Sequence, residues 1–320
     1  MATVHTARGP IDADRLGATL MHEHIFVLST EIQANYDLGW DEDARVGDAA
    51  ARLNELKVAG IDTIVDLTVL GLGRWMPRIE RVAAATDVNV VVATGLYTYD
   101  ELPHWFDYRG HDRMVEMFVT DITEGIAGTT VRAGILKCAT DKPGVTPGVE
   151  RVLRAVAQAH KETGVPISTH TDAGLRRGLE QQAIFAEEGV DLTRVVIGHS
   201  GDTEDLEYLE ALMGAGSYIG MDRFGVDIYL PFDARVKTVV ELCRRGWAGQ
   251  MVLSHDAACH MDWFDDELLA STVPRWNYLH ISRDVLPALR ERGVTEQQID
   301  QMLVDNPRKI LAGTVGAPGT

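Results

Sequence analysis

The segment Leu20-Met21-His22-Glu23-His24 places two histidines, two residues apart, at the end of a short and largely apolar run. Alternate side chains of a β-strand leave the same face, so both imidazoles point in one direction. Side chains from distant segments meet where parallel strands place their C-terminal ends on one face, as in a (β/α)8 barrel. Four later segments also end a strand-like run in a side chain that can bind a metal: Gly134-Ile135-Leu136-Lys137, Pro166-Ile167-Ser168-Thr169-His170, Val195-Val196-Ile197-Gly198-His199 and Met251-Val252-Leu253-Ser254-His255-Asp256.

Short apolar runs alternate with amphipathic segments along the chain. The apolar runs predict eight strands, at 18–24, 62–67, 89–96, 132–138, 165–170, 194–199, 217–222 and 250–256. The amphipathic segments predict helices near 47–59, 74–86, 112–126, 147–163, 175–188, 203–214, 233–246, 283–293 and 295–304. Strands that alternate with helices favour a parallel barrel over an open sheet. We therefore predict an α/β fold with one (β/α)8 domain over residues 1–320, in which the tail 313–320 frays.

Local signals mark several helix ends. Asp202-Thr203 and Thr295 are expected to cap helix N-termini. Glycines are expected to end the preceding helices, at Gly60, Gly164, Gly189 and Gly293.

Composition excludes some classes of protein. The formal net charge is −18, and a chain this acidic repels the phosphate backbone of nucleic acid. Its three cysteines have no CxxC spacing, which predicts reduced thiols and a cytoplasmic protein. The N-terminus lacks an apolar stretch typical of a signal peptide, and no run of about 18 apolar residues predicts a membrane span.

The histidines are best explained together. One imidazole at the end of a strand is usually structural, but the alternative to a metal site here is four buried imidazoles that are each satisfied separately. Asp256 completes a set of nitrogen and oxygen ligands suited to Zn, Mn, Co or Fe. His255 points to the other face of a regular strand, so we interpret it as a structural histidine.

Lys137 is the unexpected member of the set. A lysine at the end of an apolar strand normally reaches solvent or pairs with an acid. As an ammonium it would repel a metal ion, so it joins the cluster only if it is deprotonated or chemically modified. Composition and spacing do not reveal such a modification.

Taken together, these residues resemble the phosphotriesterase-like lactonases of the amidohydrolase superfamily, and the actinobacterial members most closely. The resemblance covers the whole chain. It implies two divalent metals (zinc, or cobalt, manganese or a mixed iron and cobalt pair) bridged by a carbamate that Lys137 forms with carbon dioxide. His22, His24 and Asp256 would hold the more buried metal, and His170 and His199 the more exposed one. The surrounding segments that agree are Thr19-Leu20-Met21-His22-Glu23-His24, Gly134-Ile135-Leu136-Lys137-Cys138-Ala139-Thr140, Gly198-His199, Gly220-Met221-Asp222-Arg223-Phe224-Gly225 and Ser254-His255-Asp256.

The same resemblance assigns Tyr97, Arg223 and Trp263 to substrate binding, and Tyr97 and Arg223, with Asp256, to catalysis. Structural alternatives stay open for each. Tyr97 would cap the barrel, Arg223 would pair with Asp222 or Asp227, and Trp263 would pack under its own loop. The chain departs from its relatives next to two ligands, at Asp172 and Ser200, where a change affects rate or metal preference rather than the ligand set.

The loop from 257 to 282 is too apolar for a free surface loop and suits a channel for an acyl chain. We expect Met261, Trp263 and Phe264 to contact the substrate. The alternatives are ordinary packing over the barrel or burial in a dimer interface.

The resemblance implies hydrolysis of N-acyl-homoserine lactones, and hence quorum quenching, and of other γ- and δ-lactones with hydrophobic tails. A metal-bridging hydroxide would attack while Asp256 transfers the proton, and phosphotriesters would be weak side substrates. It also implies a homodimer, with a small-molecule lactone as partner and neither nucleic acid nor membrane. A dedicated organophosphate or amide hydrolase is the main alternative. A non-catalytic metal-binding barrel is a weaker one.

Overall fold

Eight parallel strands follow one another in chain order around one sheet of the computed structural model, which describes residues 2–110 and 112–312. The tail 313–320, which we expected to fray, lies outside the described residues. The strands are β1 (Thr3–Thr6), β2 (Gly9–Asp12), β3 (Thr19–Val27), β4 (Thr63–Asp66), β5 (Asn89–Gly95), β6 (Ile135–Thr140), β7 (Ile167–Thr171), β8 (Val195–Ile197), β9 (Tyr218–Met221), β10 (Met251–Leu253) and β11 (Ala258–Met261). β3 to β10 pair in sequence, each parallel to the next, and β11 pairs with the free side of β3.

Helices follow the strands around the outside of the sheet. Two π-helical turns, Ile281–Val285 and Gln301–Asp305, lead into the α-helices that come after them. The α-helices are α1 (Thr30–Asn35), α2 (Glu42–Val58), α3 (Met76–Ala84), α4 (His104–Asp107), α5 (Asp112–Thr123), α6 (Pro147–Thr163), α7 (Arg177–Glu187), α8 (Leu206–Gly214), α9 (Phe232–Arg244), α10 (Asp266–Thr272), α11 (Leu286–Glu291), α12 (Glu296–Asp300) and α13 (Asn306–Leu311). None of the helices in the described part of the chain is long and apolar enough to cross a membrane.

Backbone hydrogen bonds join the two ends of the curled sheet. The Asp256 N–H, just beyond β10, donates to the His22 carbonyl of β3 at 3.0 Å. The His24 N–H donates to the Ala257 carbonyl at 2.9 Å. These bonds bring the last barrel strand against the first, and the predicted (β/α)8 barrel is confirmed.

The barrel interior is filled by one apolar side chain from most strands. Because successive side chains of a strand alternate between its faces, every second residue points inward. The inward-facing residues of this inner cluster include Met21, Val65, Val91, Ile135, Val196 and Val252. The opposite faces of the strands pack against the helices in a second cluster. The polar residues that form the site lie on the C-terminal side of this apolar cluster.

The predicted strand boundaries were wrong near the site. His22 and His24 lie in the middle of β3, which runs on to Val27 because β11 pairs with its second half. Lys137 also lies inside its strand, β6. His199 and Asp256, in contrast, lie beyond the ends of their strands in the left-handed region, with φ of 59° and 57°.

Helix ends follow local hydrogen bonding. α2 begins five residues before the predicted position because the Asp41 carboxylate accepts the Ala44 N–H and caps the helix. The predicted cap at Asp202-Thr203 was wrong, since Asp205 caps α8. The cap at Thr295 is confirmed. Glycines in the left-handed region follow the helices at all four predicted stops, Gly60, Gly164, Gly189 and Gly293.

The cap at Thr295 supports a stability prediction. Its hydroxyl accepts the Gln298 N–H, and the Gln298 side chain accepts the Thr295 N–H. We expect Thr295→Ala to lower the free energy of unfolding by about 1 kcal/mol, because this reciprocal cap is lost. Urea denaturation measures the change. The control is Thr123→Ala, at a threonine in the last turn of α5 that caps no N-terminus, and an equal loss in both variants would contradict the prediction.

Candidate metal centre

All six predicted metal ligands line one cavity at the C-terminal ends of the barrel strands. The cavity has a volume of about 680 Å³, which is within the size range of small-molecule sites. Tyr97, Arg223, Met261, Trp263 and Phe264 line the same cavity. The six predicted ligands in its floor are His22, His24, Lys137, His170, His199 and Asp256.

The Asp256 carboxylate is the point on which the imidazoles converge. Its Oδ1 lies 3.3 Å from Nε2 of His22 and 3.2 Å from Nε2 of His24. Its Oδ2 lies 3.7 Å from Nε2 of His199. Ligand atoms of His22, His199 and Asp256 all lie within 4.8 Å of one another, close enough to hold one metal ion. The His170 ring stacks edge-on against His199, with centroids 4.6 Å apart.

Asp222 orients two of these imidazoles. This buried residue directly follows β9, and its carboxylate lies 3.0 Å from Nδ1 of His22 and 2.9 Å from Nδ1 of His199. A carboxylate only accepts hydrogen bonds, so Nδ1 of each ring carries the proton and Nε2 presents a lone pair to the cavity. That tautomer is the one a metal ligand requires, and the residues present therefore fit a divalent cation.

His24 is oriented by a chain of hydrogen bonds from β4. Its Nδ1 lies 2.9 Å from the Thr68 hydroxyl, which in turn lies 2.5 Å from the buried Asp66 carboxylate. The hydroxyl donates to the carboxylate and accepts from the imidazole, so His24 also presents Nε2 to the cavity.

Lys137 lies against this cluster with 1% of its surface exposed. Its Nζ is 2.9 Å from Nε2 of His22 and donates to the Thr169 carbonyl at 3.3 Å. Burial lowers the pKa of Lys137 to about 8. A larger share of the amine is therefore neutral near pH 7 than for a lysine in water. Burial, with the Lys137 charge second, also lowers the pKa of His22 to about 4.

Arg223 does not form an ion pair with Asp222 or Asp227, the two partners that the sequence suggested. Its Nε donates to Asp256 at 2.9 Å and its Nη1 to Asp202 at 3.0 Å. Burial alone would raise the pKa of the Asp256 carboxyl, but His199, His22 and Arg223 together hold it well below its usual value. Asp256 is thus an ionised carboxylate at neutral pH.

Tyr97 follows β5 and leans over the ligands. Its ring meets that of His170 edge-on, with centroids 5.2 Å apart, and lies 6.2 Å from the ring of Trp263. Burial raises the pKa of Tyr97 to about 12, so the phenol keeps its proton and can donate it in a hydrogen bond. Asp141, which follows β6, lies 3.8 Å from Nε2 of His170 on the same side.

Asp172 and Ser200 each follow a predicted ligand closely in the sequence, but of the two it is Asp172 that faces the cavity. Asp172 lines the cavity, and its carboxylate accepts the Leu175 N–H at 2.9 Å. Ser200 is buried and donates to the Ile197 carbonyl, away from the ligands. His255 is buried as well, and its Nδ1 lies 2.7 Å from Glu23, in keeping with the structural interpretation.

Four further residues support the site and were not predicted from the sequence, namely Asp222, Thr68, Asp66 and Asp202. An acidic residue at the end of a barrel strand, or in the first residues after it, is the signal that would have found three of them. Asp66 ends β4, and Asp222 and Asp202 follow β9 and β8. Thr68 carries no such signal, because a hydroxyl that bridges two other residues is common in any loop.

A (β/α)8 barrel with imidazoles, an amine and carboxylates on its C-terminal face has the construction of a hydrolase that uses bound metals. The comparisons with known proteins agree with this class. The model of the phosphotriesterase family matches residues 2–311. The chain therefore belongs to the phosphotriesterase family and is a hydrolase of that family.

Individual relatives match nearly the full chain. A "phosphotriesterase homology protein" of Mycobacterium tuberculosis is 64% identical over 319 residues, which cover 97% of this chain and 98% of the relative. An "aryldialkylphosphatase" of Saccharolobus solfataricus is 41% identical and covers 94% of this chain and 97% of its own. The solved structure of the phosphotriesterase from Mycobacterium tuberculosis superposes with a TM-score of 0.95 at 63% identity, covering 97% of this chain and 98% of that one.

Proposed function

We propose that this chain is a metal-dependent lactonase that opens N-acyl-homoserine lactones and other γ- and δ-lactones with hydrophobic tails. The observation that carries the proposal is the composition of the cavity mouth. Large apolar side chains left exposed to water line it above the candidate metal centre, namely Ile228, Tyr229, Trp263, Phe264 and Leu268. A contiguous exposed apolar surface around a cavity is typical of a binding site, and an alkyl tail would cover it.

The polar floor and the apolar mouth come from different parts of the fold. Strands and the residues directly after them supply the floor, whereas the mouth comes from the loops that follow β9 and β11 and from α10. A substrate with a compact polar head and an apolar tail matches this division. A lactone ring with an acyl chain has that shape.

His22, His24 and Asp256 would hold one metal ion and His170 and His199 a second, with Lys137 between them as a carbamate. Two bound divalent ions (zinc, cobalt, manganese or a mixed iron and cobalt pair) would supply hydroxide near neutral pH and polarise the substrate carbonyl. A carbamate forms from a neutral amine and carbon dioxide, and the lowered pKa of Lys137 favours the neutral amine. The resulting anion would replace a cation that repels metals.

Three side chains then have separate roles in the reaction, namely Asp256, Arg223 and Tyr97. The Asp256 carboxylate accepts the proton of the attacking hydroxide and delivers it to the alkoxide oxygen when the ring C–O bond breaks. Arg223 holds the oxygen of Asp256 that faces away from His22 and His24. The Tyr97 phenol donates a hydrogen bond to the oxyanion that develops on the carbonyl oxygen.

A dedicated organophosphate hydrolase is the second candidate. The name of the Saccharolobus solfataricus relative, aryldialkylphosphatase, favours it. The same floor would accept a phosphoryl oxygen in place of a carbonyl oxygen, and the apolar mouth would contact aryl or alkyl groups. We further propose a homodimer in the cytoplasm, which the cavity itself does not require.

The two candidates make opposite kinetic predictions. For a long-chain acyl-homoserine lactone we expect kcat/KM to exceed that for a phosphotriester by about a hundredfold, or about 2.7 kcal/mol of transition-state binding. Both activities should disappear on chelation and return with added Zn²⁺ or Co²⁺. A preference for the phosphotriester would select the second candidate. Full lactonase activity after chelation would reject metal catalysis.

Lys137→Ala tests the carbamate. We expect metal content and lactonase activity to fall together, because the variant can form no bridge between the two metals. Metal per chain is measured by elemental analysis beside kcat/KM. Lys142→Ala, at an exposed lysine on the rim of the same cavity, is the matched control and should keep both. A Lys137→Ala enzyme with two metals and full activity would refute the carbamate.

Trp263→Ala tests the acyl-chain site. We expect the ratio of kcat/KM for long-chain over short-chain lactones to fall about tenfold, or about 1.4 kcal/mol, the burial of roughly two methylenes. The control is Trp105→Ala, because Trp105 is 42% exposed, against 43% for Trp263, and does not line the cavity. Equal losses for short and long chains would show that Trp263 does not contact the tail.

A further inference from the structure

Glu23 lies between the two histidines of β3 and has no exposed surface. Its Oε1 accepts the backbone N–H of His255 at 2.8 Å and lies 2.7 Å from Nδ1 of the same residue. Its Oε2 accepts the backbone N–H of Ala257 at 2.9 Å. Burying a carboxylate away from water requires such donors, and here all three come from one turn.

That turn carries Asp256. With φ of 57°, Asp256 is in the left-handed region, which costs a residue with a side chain on the order of 1 kcal/mol and persists only where surrounding contacts fix it. Its own N–H donates to the His22 carbonyl at 3.0 Å. The N–H groups of three successive residues, 255 to 257, thus all bond to residues 22 and 23.

His255 is held from its other side. Its Nε2 accepts the backbone N–H of Ile281 at 2.8 Å, so Nδ1 carries the ring proton and donates it to Glu23. Its carbonyl accepts the Trp276 indole N–H at 2.8 Å. Neither the ring nor the backbone of His255 can turn away from Glu23 without breaking these bonds.

The fixed turn places the two carboxylate oxygens of Asp256 against different partners. Oδ1 faces the imidazoles of His22 and His24, whereas Oδ2 faces Arg223. A rotation of the turn would move both oxygens off these partners. The direction in which the Asp256 carboxylate points is therefore set by the backbone hydrogen bonds of the turn as well as by its neighbours in the cavity.

We propose that Glu23 is a positioning residue whose carboxylate fixes the turn 255–257 and so aims Asp256 at the metal centre. The inference rests on the proposed function, in which Asp256 is a metal ligand and proton acceptor. One strand then does two tasks, because β3 presents His22 and His24 on one face and orients Asp256 from the other.

Two substitutions separate the position of the acceptor oxygens from their number. Glu23→Gln keeps one acceptor oxygen but turns an NH2 group towards a backbone N–H. Glu23→Asp keeps both acceptor oxygens but withdraws them by one methylene. If Glu23 acts by position, both variants release Co²⁺ to a chelator about ten- to hundredfold faster than the wild type and shift the visible absorption bands of bound Co²⁺. We also expect kcat to fall by a similar factor while KM changes by less than about twofold.

Leu242→Ala controls for loss of stability. Leu242 is fully buried in α9, and its truncation destabilises the fold without touching the turn. This variant should keep the Co²⁺ spectrum and release rate of the wild type at a Tm matched to the Glu23 variants. Glu23 variants that behave like Leu242→Ala, or Glu23→Asp that behaves like the wild type, would overturn the inference. Wild-type enzyme that takes up no Co²⁺ would instead overturn the proposed function. If Glu23→Gln does not fold, Glu23→Asp alone decides.

Discussion

The burial of ionisable groups at the top of the barrel is the constraint on which the rest of the site depends. Removing imidazoles, an amine and a carboxylate from water costs several kcal/mol each unless they are paired. Here the partners are acids and a hydroxyl from neighbouring strands, chiefly Asp222 behind His22 and His199, and Thr68 behind His24. Because these partners accept hydrogen bonds from the protonated Nδ1 atoms, the Nε2 lone pairs are left facing the cavity. The pairing that makes burial tolerable is the same pairing that prepares the site for a cation.

The barrel also separates what is fixed from what can vary. Residues in or just after strands hold the floor of the cavity, and β11 and the loop after it supply Met261, Trp263 and Phe264 to its wall. Loops tolerate change more readily than paired strands do. Family members can therefore share one metal chemistry and differ in the substrate that the mouth accepts. The family assignment thus establishes that the chain is a hydrolase, whereas its substrate depends on the residues of the mouth.

The sequence predicted most of the barrel and the members of the floor, because both rest on simple spacing. Apolar runs alternating with amphipathic segments predict βα units, and His22-x-His24 predicts one face of a strand. Spacing did not reveal β11, which has only four residues and whose strand partner is the second half of β3. It also could not assign Asp222 to two histidines, since that contact depends on the turn after β9. The left-handed backbone at His199 and Asp256 is likewise set by tertiary hydrogen bonds.

In the proposed site, the charge on Lys137 couples metal binding to the reaction of this lysine with carbon dioxide. An ammonium is compatible with Asp256 and Asp222 nearby, and their charges oppose the lowering of the Lys137 pKa by burial. The same ammonium repels a divalent cation, whereas a carbamate at that position attracts one. In the proposed centre, metal binding would therefore favour loss of the proton and addition of carbon dioxide, and by linkage carbon dioxide would favour metal binding. Assembly of the proposed centre would then depend on metal and carbon dioxide together, and the affinity for each would have a single value only at a fixed concentration of the other.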